Sequence, residues 1–283
     1  MKANSPMVSI VLPAFRNARF IERAVDSALA QTFMDFELII ADHSSDDGTW
    51  EALGRYGADP RVRLERTAAG GGAQRNWNRV TGLARGTYVK LLCGDDVIYP
   101  TCVADQVAAL AAHPSAALAA VRRDLIDPDD AVLLRGRGLG GLRGLVEGTA
   151  AIRAIVRAGA NLLGEPACVL IRADVLRAIG GWSDAYPYLI DQYTYMRALE
   201  HGDLVALDTV GAAFRLSDTQ WSVRLATQQG AQARDVHRHF RRDLPGVITA
   251  WDERIGTARA YRTAWARRTA YFVWRRRMRS GRP

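Results

Sequence analysis

The strongest constraint on this chain is the alternation of its first hundred residues. Four short apolar runs occur, VSIVLPA at 8–14, FELIIA at 36–41, VRLE at 62–65 and YVKLL at 88–92. They are separated by stretches of helical spacing, clearest at Ile21, Ala24, Val25, Ala28 and Leu29. Runs of this length read as buried strands. Strands alternating with helices imply an α/β fold with a mainly parallel sheet covered on both faces. In such open sheets ligands bind beyond the carboxyl ends of the strands. Three features follow strand ends here: Asp42 in ADHSSDDGT, the loop Gly70–Gly72, and the pair Asp95–Asp96 in KLLCGDDVIYP. One rim is expected to carry all three.

After Pro114 the pattern loosens. A strand is expected over Ala117–Arg123, a loop or hairpin over 124–146, a helix over Glu147–Ala158 and a strand over Ala167–Ile171. Helices are expected over Val175–Ile179 and Tyr188–Glu200, late strands over Val205–Leu207 and Gly211–Leu216, and an Arg-rich helical region from Val223 onward. The implied division is a body over 1–222, with halves 1–116 and 117–222, and a basic C-terminal helical region over 223–283.

Composition removes several function classes. No apolar run approaches the ~18 residues of a spanning helix, so a cytoplasmic protein is expected. The three cysteines, Cys93, Cys102 and Cys168, form no CxxC pair, and structural thiols are expected rather than a zinc knuckle or a disulfide framework. The net charge of +8 resides in the tail: ten arginines and no acid lie from Arg254 onward, leaving 28 basic against 30 acidic residues before them. A basic nucleic-acid groove on the body is therefore not indicated. The first strand is followed by PAFRNARF rather than GxGxxG, and the triple glycine continues Ala-Gln-Arg-Asn rather than Gly-Lys-Ser/Thr. A dinucleotide fingerprint and a P-loop are thus both missing. From Asp42 a glycine comes seventh rather than sixth, which excludes an EF-hand loop.

Two adjacent carboxylates repel unless a cation lies beside them. Mg²⁺ and Mn²⁺ favour one or two carboxylates plus substrate phosphates. Asp95–Asp96, beside a glycine loop, suits a metal–diphosphate site; it equally suits the opening of a turn before Val97. Pattern alone leaves both readings standing. Asp191, alone in LIDQYTY, reads as a helix cap or as a base, with Asp184 its nearest rival.

At these residues the chain resembles family 2 glycosyltransferases, which have the GT-A fold. The resemblance runs in order through VSIVLPAFRNARFIERAVDSALAQT, ELIIADHSSDDGT, AQRNWNRVTGLARGTYVKLL and CGDDVIYP, and more loosely through GEPACVLIRADVLRAIGGWSDAYPYLIDQYTYMRAL to about residue 216. It implies a Rossmann-like mixed sheet, a nucleotide-sugar donor, UDP- or dTDP-linked, and a divalent metal, Mn²⁺ or Mg²⁺. Pro13 and Phe15 would line the nucleotide pocket, Asp42 would take a ring N–H of the base, and Arg75, beside Asn76, would approach the diphosphate. Asp95 and Asp96 would hold the metal and Asp191 would act as general base. The implied reaction is an inverting hexosyl transfer to a glycan or lipid-linked hydroxyl acceptor in surface-glycan biosynthesis. The alternatives are a degenerate member that binds nucleotide or glycan without turnover, and a sugar-phosphate nucleotidyltransferase. Three departures stand out: Cys93 occupies the place of the family's first Asp of Asp-x-Asp, His43 that of a second acid, and Ser217 in FRLSDTQWS that of a histidine. No QxxRW motif occurs, which argues against a processive synthase.

The tail is read separately. Trp251, Ile255, Ala258, Trp265 and Phe272 fall near one helical stripe, and Arg275-Arg-Arg-Met-Arg closes it. Such a helix lies on an anionic membrane surface at the inner face of the plasma membrane, packs on the body, or binds a partner.

Overall fold

The structure is a computed structural model that describes residues 5–68, 70–217 and 228–274. Among these, ten strands form one sheet in the order β3-β2-β1-β4-β9-β6-β10-β5, with β7 beside β6 and β8 beside β10. The strands β1 (Val8–Ala14), β2 (Phe36–Asp42), β3 (Val62–Arg66) and β4 (Tyr88–Leu91) are mutually parallel. Every residue of β1 and β2 is buried, as continuous apolar strands covered on both faces must be. The helices α1 (Ile21–Leu29), α2 (Thr49–Leu53) and α3 (Gly72–Thr81) connect them.

Pro13 lies in a central strand, where a missing N–H usually costs a ladder bond. The register removes that cost, because β4 pairs only Val8 to Val11 of β1 and Pro13 extends past its end. The proline therefore marks the carboxyl rim of the sheet.

The second half adds β5 (Val97–Ile98), α4 (Cys102–Ala112), β6 (Ala116–Ile126), β7 (Val132–Arg137), β8 (Gly144–Val146), α5 (Gly148–Ala158), β9 (Val169–Arg172), α6 (Ala173–Ala178), α7 (Ile190–Ala198) and β10 (Asp203–Arg215). Strand β9 runs antiparallel between β4 and β6, which joins the two halves into a single mixed sheet. The expected late strands are one strand, β10, whose pairing with β6 shifts register between Leu207 and Val210 and again before Ala212. The break in pattern at residues 208–210 is this irregularity, not a loop. The expected loop or hairpin over 124–146 contains β7, paired with the end of β6.

Two further helices, α8 (Gln229–Asp243) and α9 (Ala250–Trp274), pack on the body. Helix α9 starts with a reciprocal cap: Asp252 N–H donates to Thr249 Oγ1 at 3.1 Å, and Thr249 N–H donates to Asp252 Oδ2 at 3.0 Å. The buried Asp252 carboxylate also accepts from Arg153 and Arg157 of α5, and these partners hold its pKa far below the carboxylate range despite burial. The packing face of α9 differs from the apolar stripe in the sequence. Asp252, Gly256, Ala260 and Ala264 face inward, while Trp251, Ala258 and Trp265 face out. Glycine makes the close approach: a Cβ on Gly256 would lie 1.9 Å from the Val156 carbonyl oxygen, and one on Gly159 would lie 2.2 Å from the Gly256 carbonyl oxygen. The side chain of Phe272 and the run from Arg275 lie outside the described residues. Gly256→Ala is expected to destabilise the fold by about 1–3 kcal/mol, because backbone cannot yield as a side chain tip does. Thermal unfolding checks this, with Ala258→Ser, on the exposed face, staying at the wild-type midpoint.

Candidate active site

The carboxyl rim opens into one cavity of about 850 Å³. Pro13, Phe15 and Asn17 enter it from the end of β1, His43 from the end of β2, Gly70 and Gly72 from the glycine loop, and Asn76 and Trp77 from α3. Cys93, Gly94, Asp95 and Asp96 follow β4, and Glu165, Tyr188, Asp191 and Gln192 come from the second half of the chain.

The acidic segment after β2 holds the loop after β1. Arg16 N–H donates to Ser45 Oγ at 2.9 Å, its guanidinium pairs with Asp46, and Ala18 N–H donates to Asp47 Oδ2 at 3.0 Å. Asn17 N–H in turn donates to Thr49 Oγ1 at 2.9 Å. Asp46 and Asp47 are thus occupied by protein, and they position Phe15 and Asn17 rather than a ligand. Asn17 Oδ1 lies against Gly94, where a Cβ would come within 2.7 Å of it. Only glycine lets the Cys93–Asp96 loop lie this close to the first strand.

Cys93 Sγ and a carboxylate oxygen from each of Asp95 and Asp96 lie within 4.8 Å of one another. Arg215, 1% exposed, organises this loop from the end of β10. Its backbone N–H donates to Asp96 Oδ1 at 3.1 Å and its Nε to the Asp95 carbonyl at 2.8 Å. The rest of the guanidinium reaches the Asp127 carbonyl and Asp130 Oδ1, over the ring of Phe20. Burial, then the adjacent Asp95 carboxylate, pushes the Asp96 carboxyl well above its usual range. Two carboxylates and a thiol crowded together in this way favour a bound cation, so the donor set fits a divalent metal.

Asp191 stands in the first turn of α7. Its Oδ1 accepts from Gln192 N–H at 2.7 Å and its Oδ2 from Asn161 Nδ2 at 2.9 Å. Burial pushes its pKa up to about 7, with Glu165 adding in the same direction. A carboxyl poised there can take a proton near neutral pH. Glu165, paired with Arg123, is a cavity residue that the sequence did not single out. Nothing in GEPACVLI marks it apart from its place before a strand. Asp184 does not line the cavity.

Two expected residues sit elsewhere. Asp42 is fully buried one residue behind His43 and does not line the cavity; its Oδ2 accepts from Ser45 N–H at 3.1 Å, and its Oδ1 has no hydrogen-bond partner among the described residues. Arg75 is exposed and folds back on Gly71, where a Cβ would lie 2.1 Å from its Cδ. Asn76 is 4% exposed, and its Oδ1 is a second unpartnered atom, this one on a cavity residue. Asn78 is structural: it donates to the Trp182 carbonyl and accepts from Trp182 N–H, tying α3 to the Gly180–Gly181–Trp182 turn. That tie brings the segment carrying Asp191 against the parallel first half of the sheet. Ser217 is buried, and FRLSDTQWS beyond it lies outside the described residues.

Comparison with known proteins gives a consistent result. Chondroitin synthase of Pasteurella multocida (strain Pm70) is 41% identical over 99 residues, which cover 35% of this chain and 10% of that protein. An uncharacterized protein of Mycobacterium tuberculosis, MT1568, is 27% identical over 201 residues, covering 69% of this chain and 62% of the relative. This chain therefore spans less than two thirds of these relatives. Among solved structures, S. aureus TarS 1-349 in complex with UDP-GlcNAc superposes with a TM-score of 0.68 at 17% identity, covering 94% of this chain and 74% of that one. The Pyrobaculum calidifontis mannosyltransferase PcManGT, in complex with GDP-Man and Mn²⁺, gives 0.63 at 18% identity, covering 96% and 76%. The mixed, mainly parallel sheet with its flanking helices is the GT-A fold of these neighbours. The family model for glycosyl transferase family 2 matches residues 9–180, more than half of the chain, and the chain belongs to that family.

Proposed function

We propose that the chain is an inverting, metal-dependent glycosyltransferase that moves a hexosyl group from a UDP- or dTDP-sugar to a hydroxyl of a surface glycan or its lipid-linked precursor. The observation that carries this reading is one cavity holding the Cys93–Asp95–Asp96 cluster together with the Asp191 carboxylate. Asp95 and Asp96 would hold the divalent cation, Mn²⁺ or Mg²⁺, which neutralises charge growing on the departing diphosphate. Asp191 accepts the proton of the acceptor hydroxyl as that oxygen attacks the anomeric carbon. The bond from that carbon to the diphosphate breaks, its electron pair leaves with the nucleotide, and the configuration inverts. Pro13, Phe15 and Asn76 are assigned to the nucleoside side. Asp42 lies buried behind His43 and Arg75 folds back on Gly71, so neither is given a ligand contact in this reading. In this reading residues 1–116 form the nucleotide half, 117–222 the acceptor half and 223–283 an appended helical region.

A donor screen with Mn²⁺, with and without chelator, tests this. The expected result is nucleotide release with one sugar donor, lost on chelation and restored by metal, and a product of inverted configuration by NMR. Binding of UDP without release from any donor supports the degenerate alternative, and retention of configuration excludes direct displacement assisted by Asp191.

The partner surface for the tail belongs to the same reading. Trp251 and Trp265 are 64% and 69% exposed, Tyr261 is exposed beside them, and Arg254 and Arg262 share that outward face. Aromatic and basic side chains on one helix face suit an anionic lipid surface, and they support the reading of a cytoplasmic enzyme held at the inner face of the membrane. No helix among the described residues is long and apolar enough to cross a membrane. A Trp251→Glu/Trp265→Glu double variant is expected to lose co-sedimentation with phosphatidylserine vesicles that the wild type shows; equal sedimentation of both would remove this surface from consideration.

A further inference from the structure

We propose that Cys93 is a metal ligand, so that the cation beside Asp95 and Asp96 sits in a mixed thiolate–carboxylate site that prefers Mn²⁺, Co²⁺ or Zn²⁺ to Mg²⁺. The inference rests on reading this rim as the donor-diphosphate site and adds a ligand from this chain's own sequence. The three donor atoms lie within 4.8 Å of one another, roughly the span of two metal–ligand bonds of about 2.0–2.3 Å set across one ion. The protein holds them there by itself. Asp96 N–H closes a turn on the Cys93 carbonyl at 3.1 Å, Gly94 lies against Asn17, and Arg215 N–H fixes Asp96 Oδ1. Independent signs of a ligand lie in the same cavity: Asn76 Oδ1 and His43 Nε2 are buried there without a hydrogen-bond partner among the described residues, and each residue is at most 5% exposed.

The other thiols are excluded by position. Cys102 is buried against Gln106, and Cys168 is buried beside Gly164. Cys93 is half-buried, and it lines the cavity. An all-oxygen site suits Mg²⁺ and Mn²⁺ alike, whereas a sulfur donor is softer and disfavours Mg²⁺. On binding, the Cys93 thiol releases its proton to solvent and the sulfur lone pair forms the bond to the metal.

Co²⁺ titration of the full chain, with and without UDP, tests the proposal without any turnover. The expected result is a sulfur-to-cobalt charge-transfer band in the near ultraviolet that disappears in Cys93→Ser and persists in Cys102→Ser. Cys93→Asp is expected to shift the Mn²⁺/Mg²⁺ affinity ratio toward Mg²⁺ on the order of 10-fold. The wild type supplies a second readout: Co²⁺ should slow iodoacetamide labelling of Cys93, mapped by mass spectrometry. Co²⁺ bound without the band in both arms, a band that survives in Cys93→Ser, no bound Co²⁺ in either arm, or unprotected labelling would each overturn it. Absence of sugar transfer with the band present would instead count against the transferase reading alone.

Discussion

Asp191→Asn is expected to reduce sugar transfer by about 10²–10⁴-fold, the usual contribution of a general base, while nucleotide affinity stays at the wild-type value. Asparagine keeps the size and, through its one oxygen, the bond from Gln192 N–H, but its amide nitrogen cannot accept from Asn161 Nδ2 and it cannot take the acceptor proton. The pH profile separates loss of a base from a disturbed fold. Burial pushes the Asp191 pKa up to about 7. The carboxylate form is the base, so wild-type kcat/KM should rise as pH passes upward through about 7. That acid limb should vanish in Asp191→Asn, whose residual rate no longer depends on this group. Near-normal turnover in the variant, or an unchanged acid limb, would remove Asp191 from the chemistry.

Arg215→Met should have the largest effect on folding and a parallel effect on metal binding. The guanidinium is buried and donates to two carbonyls and to Asp130, while the backbone of the same residue holds Asp96. Removing one partner from a buried ionic network costs on the order of 3 kcal/mol or more, because the groups left behind lose their hydrogen bonds. Denaturant unfolding should show that loss. Mn²⁺ affinity should fall as well, since the loop loses the guanidinium bond to the Asp95 carbonyl and keeps only the backbone bond to Asp96. Arg215→Lys keeps the charge but not the planar fork, and it should fall between the two. Wild-type stability and metal affinity in Arg215→Met would show that the loop holds itself.

How much of this was legible in the sequence follows from how each element is buried. Strands β1, β2 and β4 are covered on both faces, so their runs are almost continuously apolar and easily read. Strand β6 begins Ala-Ala-Leu-Ala-Ala, without the β-branched residues that advertise a strand, and β10 carries three register shifts against it. Both are blurred for that reason. Asp95, Asp96 and Asp191 were readable as candidates because each follows a strand end or opens a helix. Their shared cavity depends on the Asn78–Trp182 clamp, which pairs residues 104 positions apart and leaves no local signal. Arg215 is hidden in the same way, 119 residues from Asp96. The tail misleads for a different reason. An apolar stripe normally marks the packed face, but here α9 approaches α5 through Gly256 and Ala260, and Trp251 and Trp265 remain outside. Close backbone approach selects small residues, which an apolarity pattern passes over.

The central claim is that one crevice binds a nucleotide sugar with its cation on the Cys93–Asp96 loop and its anomeric carbon facing Asp191. Anomalous diffraction from crystals grown with Mn²⁺ and UDP tests it most directly. The account predicts a single strong manganese peak within coordination distance of Asp95 or Asp96 and of the UDP phosphates, with the open side of the diphosphate turned toward Asp191. A manganese peak elsewhere, or UDP bound outside this cavity, would contradict it.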